Sequence, residues 1–325
     1  MIWIKETVRV KRKAIALARE RLFITLLLLG VVFLTLIGCG GAGGGEGAES
    51  ARVIEHAMGE TEITGTPERV VVLDTGELDS AMTLGVTPVG AVEAISGDAL
   101  PAYLEGTGDI ELVGTIEEPN LEKIAMLEPD LILSSKLRHE QIYDQLSQIA
   151  PTVFTETTGV TWKGNFEVHA EALNRTDDEA AKVKKEYQNN IDEFQQAIGD
   201  TPPEVSVVRF LPGETRIYQK ESFIGTILED AGLPRPKSQD VDEFAILNAS
   251  AEFIPEMGGD IIFVTAYGPE EDTTKQNITS DPLWQELEAV QEGLVYEVSD
   301  DLWMLGIGYT AANGVMEDLE THLVE

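Results

Sequence analysis

Only one cysteine, Cys39, occurs in the 325 residues, so no intrachain disulfide can staple the fold and its stability has to come from a hydrophobic core. Histidine is scarce too, with four in the chain. His56, His139, His169 and His322 are scattered without ligand spacing, which counts against a direct metal-ion binder; His139 and His169 are the one pair that a cleft could unite. Positive charge is in short supply: 23 Lys and Arg stand against 58 Asp and Glu, a formal net charge of −35. Such a surface repels nucleic acid and anionic lipid, so no nucleic-acid partner is expected. Catalytic signatures are missing as well. There is no Gly-x-Ser-x-Gly elbow, no His-Glu-x-x-His and no Gly-x-x-x-x-Gly-Lys, and the chain reads as a non-enzyme without a cofactor. One dinucleotide-like match, Gly306-Ile307-Gly308-Tyr309-Thr310-Ala311, lies too near the C-terminus to be followed by the strand and acidic residue that the fingerprint needs.

The longest apolar run, Leu22 to Ile37, falls short of the ~20 residues of a spanning helix. It follows a basic stretch with Lys5, Arg9, Lys11, Arg12, Lys13, Arg19 and Arg21, and so has the form of an export signal. The run ends in Leu36-Ile37-Gly38-Cys39, which resembles a bacterial lipobox and implies lipidation of Cys39. Residues 1–38 are therefore expected to be a lipoprotein signal peptide. Residues 39–51 open with Gly40-Gly41-Ala42-Gly43-Gly44-Gly45 and form a Gly-rich tether, holding the folded part outside the cytoplasmic membrane. Beyond the signal, 56 acidic residues face only 16 basic ones. The remaining length suggests two lobes rather than one.

Short apolar runs alternate with helical patterns. Val70 to Leu73, Leu131 to Leu133, Val205 to Phe210 and Ile261 to Val264 read as strands covered on both faces, the mark of an α/β fold. Asn120 to Leu133 aligns without gaps to Ser250 to Phe263: Glu122 meets Glu252, Ile124 meets Ile254, and Asp130 meets Asp260. In both copies a short helix leads through a turn into a buried strand. Between the copies, Thr176 and Glu179 form a capping-box pattern, and Val183, Tyr187, Ile191, Phe194 and Ile198 recur on one helical face. That helix is long enough to join two lobes. The expected architecture is two Rossmann-like lobes, 52–175 and 201–325, each a mostly parallel sheet flanked by helices, joined by one long helix at 176–200.

These features together resemble the helix-hinged, class III substrate-binding proteins of ferric siderophore and cobalamin ABC importers, from Arg52 to the C-terminus. The residues that carry the resemblance are Pro67-Glu68-Arg69-Val70-Val71-Val72, Leu84-Gly85-Val86-Thr87-Pro88 and Pro119-Asn120-Leu121-Glu122-Lys123-Ile124. Leu127-Glu128-Pro129-Asp130-Leu131-Ile132 and the single interlobe helix complete the set. The resemblance implies a monomeric receptor that hands a ferric siderophore to a permease with a cytoplasmic ATPase. It also implies that Glu122 and Glu252 dock that permease.

Ligands of open α/β sheets bind beyond the carboxyl ends of strands. Lys136 and Arg138 follow one such end, Arg209 lies near another, and Arg216 and Tyr218 follow a Pro212-Gly213 turn. In so acidic a chain these four cations are the expected cleft cluster, since arginine matches carboxylate oxygens bidentately. Trp303, Tyr267 and Trp162 are candidates for apolar contact. The segments Ser134 to Arg138 and Trp162 to Phe166 resemble those of hydroxamate or citrate-hydroxamate receptors. Haem or cobalamin on the same scaffold is the alternative, though a planar or corrin ligand calls for fewer cations.

Overall fold

The computed structural model describes residues 51–94 and 100–324. The expected leader, Cys39 and most of the tether lie outside the described residues. A hairpin of β1 (Ala51–His56) and β2 (Gly59–Thr64) opens the described residues. It is fastened to the first lobe by the Ala57 amide on the Phe154 carbonyl and by Arg52, whose guanidinium donates to the carbonyls of Gly65, Glu171 and Ala172.

The first lobe is built on a wholly parallel sheet. β3 (Val70–Val72) lies at its centre, with β4 (Gly90–Glu93) and β5 (Glu111–Thr115) on one side and β6 (Leu131–Ser135) and β7 (Thr152–Thr155) on the other. β3 and β6 are buried throughout, which is why their sequences run apolar without alternation. Two helices of this lobe, α1 (Thr75–Thr83) and α2 (Trp162–Ala172), pack against each other beside the sheet.

The second lobe carries a mixed sheet. β8 (Val205–Leu211), β11 (Ile261–Ala266) and β12 (Val295–Glu297) are parallel, while β9 (Glu214–Tyr218) and β10 (Ala245–Ile246) extend it through antiparallel pairings. The expectation of a mostly parallel sheet thus holds fully in the first lobe, while in the second β9 alone runs against the other four strands. The Leu211–Glu214 pairing closes a tight hairpin that turns β9 back along β8.

The repeat has a structural counterpart. Asp130 accepts the backbone amides of Glu68 and Arg69 at 2.8 and 2.9 Å, pinning the start of β3, and Asp260 accepts the amide of Glu204 at 2.8 Å, pinning the start of β8. The preceding helices differ: Leu121–Met126 is α-helical, whereas Ala251–Met257 is wound as a 3-10 helix around Pro255.

α3 (Asp177–Ile198) joins the lobes. Its start is the expected capping box: Thr176 Oγ1 accepts the Glu179 amide while the Glu179 carboxylate accepts the Thr176 amide. It ends at Gly199, whose φ of 81° a side chain would oppose. Tyr187, Ile191 and Phe194 form its buried face.

The last helix of the described residues is α4 (Tyr309–Leu323). It lies at the joint, in contact with the connecting helix and with the first lobe. Tyr309 stacks edge-on against Trp162, Phe166 and Tyr187, and Asn190 of α3 donates to Asn313 at 2.9 Å. Its amino end is capped by the first lobe. Asp79 of α1 accepts the amides of Thr310 and Ala311 at 3.1 and 3.0 Å, together with the hydroxyls of Thr83 and Tyr103. A Cβ at Gly308 would stand 2.1 Å from the Asp79 carboxylate, so only glycine admits this approach. The glycines of the dinucleotide-like motif therefore serve helix packing. Among the described residues, no helix is long and apolar enough to cross a membrane.

Candidate ligand-binding cleft

The carboxyl ends of β3, β6 and β8 open on a cleft of about 520 Å³ between the lobes. Asp74, Thr75, Arg138 and Thr157 to Val160 form the first-lobe wall. Arg209, Arg216, Tyr218, Glu221 and Phe244 form the second, with Trp303 to Leu305 and Ile307 from the segment returning to the joint.

Every arginine in this cleft already has a carboxylate. Arg138 Nε donates to Asp74 at 2.8 Å. Arg209 is bound bidentately by Asp300 at 2.7 and 2.6 Å, and its remaining nitrogen donates to the Tyr218 hydroxyl at 3.3 Å. Arg216 donates to Glu214 at 2.7 Å, leaving its buried Nε without a partner. Burial works against the Arg138 charge, but Asp74 outweighs it and holds the guanidinium above its usual pKa. Burial likewise opposes the Arg209 charge, and the Tyr218 hydroxyl and Asp300 overcome it. For Arg216 the Glu214 hydrogen bond leads, raising the arginine and lowering the glutamate.

The three arginines differ in what they have left to offer. Arg209 is buried, stacks over Tyr267 at 5.2 Å, and has each of its three nitrogens engaged by Asp300 or Tyr218. Arg138 and Arg216 are only partly covered and keep donors for a ligand. Around them sits an apolar rim, in which Leu137, Val160 and Phe244 are 62, 43 and 46% exposed.

Of the residues expected from sequence, the cleft gathers Arg138, Arg209, Arg216, Tyr218 and Trp303. Lys136 is outside it, paired with Glu156 at 3.0 Å, because it turns outward one residue beyond β6. Trp162 is a core residue: its indole donates to Thr226 at 2.9 Å and its ring packs against Tyr187, Phe223 and Tyr309. Tyr267 stands behind Arg209 and off the cleft wall. Trp303 forms the floor, fully buried, with its indole donating to Asp318 at 2.7 Å. Glu122 and Glu252 are both solvent-exposed on their short helices, outside the cleft.

Asp74, Asp300 and Glu214 went unread in the sequence. Asp74 carries a usable signal, since it ends β3 and caps α1 by accepting the Thr75 amide. Asp300, 91 residues from Arg209, carries none. Nor do the histidines meet. His139 has both ring nitrogens engaged, with Ser134 Oγ at 2.6 Å and the Ile116 carbonyl at 2.7 Å, and His169 lies deeper beside Ser80. Among the described residues, no three His, Cys, Asp or Glu side chains cluster to hold a metal.

A larger hollow, about 760 Å³, lies between α3 and α4. Its walls carry Glu179, Glu186, Glu317 and Asp318 against the single cation Lys182, a field that repels anions. The smaller cleft is the site whose chemistry fits an anionic ligand.

Two α/β lobes, a long connecting helix and one cleft between strand ends define a substrate-binding protein. The chain belongs to the periplasmic binding protein family, whose model matches residues 70–302. A probable siderophore-binding lipoprotein of Bacillus subtilis, YfiY, is 39% identical over 86% of this chain and 89% of that protein. The Fe(3+)-citrate-binding protein YfmC of the same organism is 33% identical over 81 and 82%. Among solved structures, Staphylococcus aureus SirA complexed with staphyloferrin B superposes with a TM-score of 0.76 at 37% identity, covering 84% of this chain and 98% of that one.

Proposed function

We propose that this chain is the substrate-binding subunit of an ABC importer and that it captures an anionic ferric siderophore, with citrate-type chelates favoured. The observation that carries the reading is the meeting of Arg138 from one lobe with Arg216 from the other across a single apolar-rimmed cleft. Oxygen-rich iron chelates present carboxylate oxygens outward, and guanidinium groups match them in pairs. Relatives named for ferric citrate and for siderophores support the same chemistry and move the emphasis from hydroxamate toward carboxylate ligands. The protein delivers its ligand unchanged, as a monomer held on the outer face of the membrane by a lipid on Cys39. Glu122 and Glu252, one exposed on each lobe, dock the two permease subunits.

The direct test is a fluorescence titration, since Trp303 forms the cleft floor. Ferric citrate and ferric hydroxamate, catecholate and mixed siderophores, haem, cobalamin and free Fe(III) are titrated in turn. Quenching at low ligand concentration by ferric carboxylate chelates, lost in Arg138→Ala and Arg216→Ala, is the expected result. Tight binding of haem or cobalamin alone would remove the proposal.

A further inference from the structure

Behind the first-lobe wall lies an arrangement that ligand contact does not explain. Glu77, on the buried face of α1, is 2% exposed, and its Oε2 has no hydrogen-bond partner. It faces His169 of α2, equally buried, whose Nε2 is also unpartnered; the two approach to 3.8 Å, too long for a hydrogen bond. Both line a cavity of about 10 Å³, the space of one water molecule, together with Ser80, Thr158 and Ile307. Thr158 and Ile307 also line the ligand cleft, so Glu77 stands one side chain behind the cleft wall.

A buried carboxylate needs donors or a counter-ion, and Glu77 has only its own backbone amide as a donor and no cation in contact. The nearest cation, Arg138, is bound to Asp74 at the start of the same helix. The charged and titratable groups acting on Glu77 are thus Asp74 on α1, Arg138 after β6, and His169 on α2. We propose that Glu77 is a proton-binding residue coupled through Asp74 and Arg138 to the charge of the cleft's occupant, making it a determinant of selectivity for anionic ligands. Burial first, then the Asp74 charge, pushes Glu77 up to about 8, with Arg138 pulling the other way. Burial drives His169 down to about 3. Between those values the pair is uncharged, and Asp74 and Arg138 alone set the local field.

An anionic chelate brings negative charge beside Arg138 and competes with Asp74 for it. Both effects raise Glu77 further, so the complex holds the proton at a pH where the free protein has begun to lose it. Binding then takes up a proton near pH 8, and affinity for an anion falls by up to about tenfold per pH unit above that. A neutral ligand shows no such slope.

The proton site is tested without ligand, by infrared titration of the whole folded domain. The wild type should show a protonated-carboxyl band lost near pH 8, absent from Glu77→Gln, and persisting to higher pH in Arg138→Gln, which leaves Glu77 in place. Asp79, also raised by burial, contributes equally to all three. The coupling to ligand charge rests on the anionic-chelate reading. It is measured by calorimetry with ferric citrate in two buffers of unlike ionisation enthalpy: the wild type takes up a proton, and Glu77→Gln binds without uptake. A band that survives in Glu77→Gln, a midpoint unmoved in Arg138→Gln, or equal uptake by both proteins overturns the inference. Failure of ferric citrate to bind counts against the citrate reading, and the infrared midpoints then decide the proton site by themselves.

Discussion

Arg209 and Arg216 are seven residues apart on neighbouring strands, yet their substitution should have different consequences. Arg209→Ala leaves Asp300 buried without its partner, which typically costs about 3–5 kcal/mol. Thermal unfolding should therefore shift strongly downward whether or not ligand is present. Arg216→Ala removes a pair whose side chains are 27 and 19% exposed, and it should cost less stability than Arg209→Ala while weakening ligand binding in the titration. At Glu77 the stability effect runs with pH. Its folded pKa is raised, so the native state binds a proton that the unfolded chain has released, and this stabilising contribution is lost as pH rises from the ordinary carboxyl range through about 8. The melting temperature of Glu77→Gln should accordingly gain on that of the wild type across this window and level off above it. Individual residues were only partly legible from sequence. Charge scarcity singled out three cleft arginines, whereas their carboxylate partners stayed invisible because a surplus of 35 acidic charges offers too many candidates.

Secondary-structure elements were the most readable level. Strands buried on both faces, the capping box at Thr176 and the repeated helix-turn-strand unit all follow from local rules, and each takes the form that its sequence dictates. Thr176→Ala should cost about 0.5–2 kcal/mol, measured by denaturant unfolding, because it leaves the Glu179 amide without the hydroxyl that accepts it. Where partners are distant in sequence, the reading failed. The hairpin of β1 and β2 went unread, since its Glu- and Thr-rich residues show little apolar alternation. The placement of α4 depends on Asp79, more than 200 residues away. Gly308→Ala should force that carboxylate from the helix end, and hydrogen exchange at Thr310 and Ala311 should accelerate while β6 and β11 remain protected.

For the molecule as a whole, the lobes are joined by more than one rod. α3 and α4 pack together at the joint, and Tyr309, Trp162, Phe166 and Tyr187 fill the space between them. Closure around a ligand should therefore be slight, and small-angle scattering should record almost no compaction on ligand addition. A large decrease in radius of gyration would contradict this joint. The proposed permease docking belongs to this scale too. Reversing Glu122 and Glu252 to Lys should abolish uptake by cells while leaving solution affinity unchanged.

The cap that Asp79 places on α4 also bears on the order in which the chain matures. A polypeptide threaded through a membrane amino end first would deliver α1 long before Tyr309. Until that last helix emerges, Asp79 has no backbone amides to receive and the aromatic filling of the joint is incomplete. On such a route the first lobe would gain its contacts with α4 only once the end of the chain had followed it.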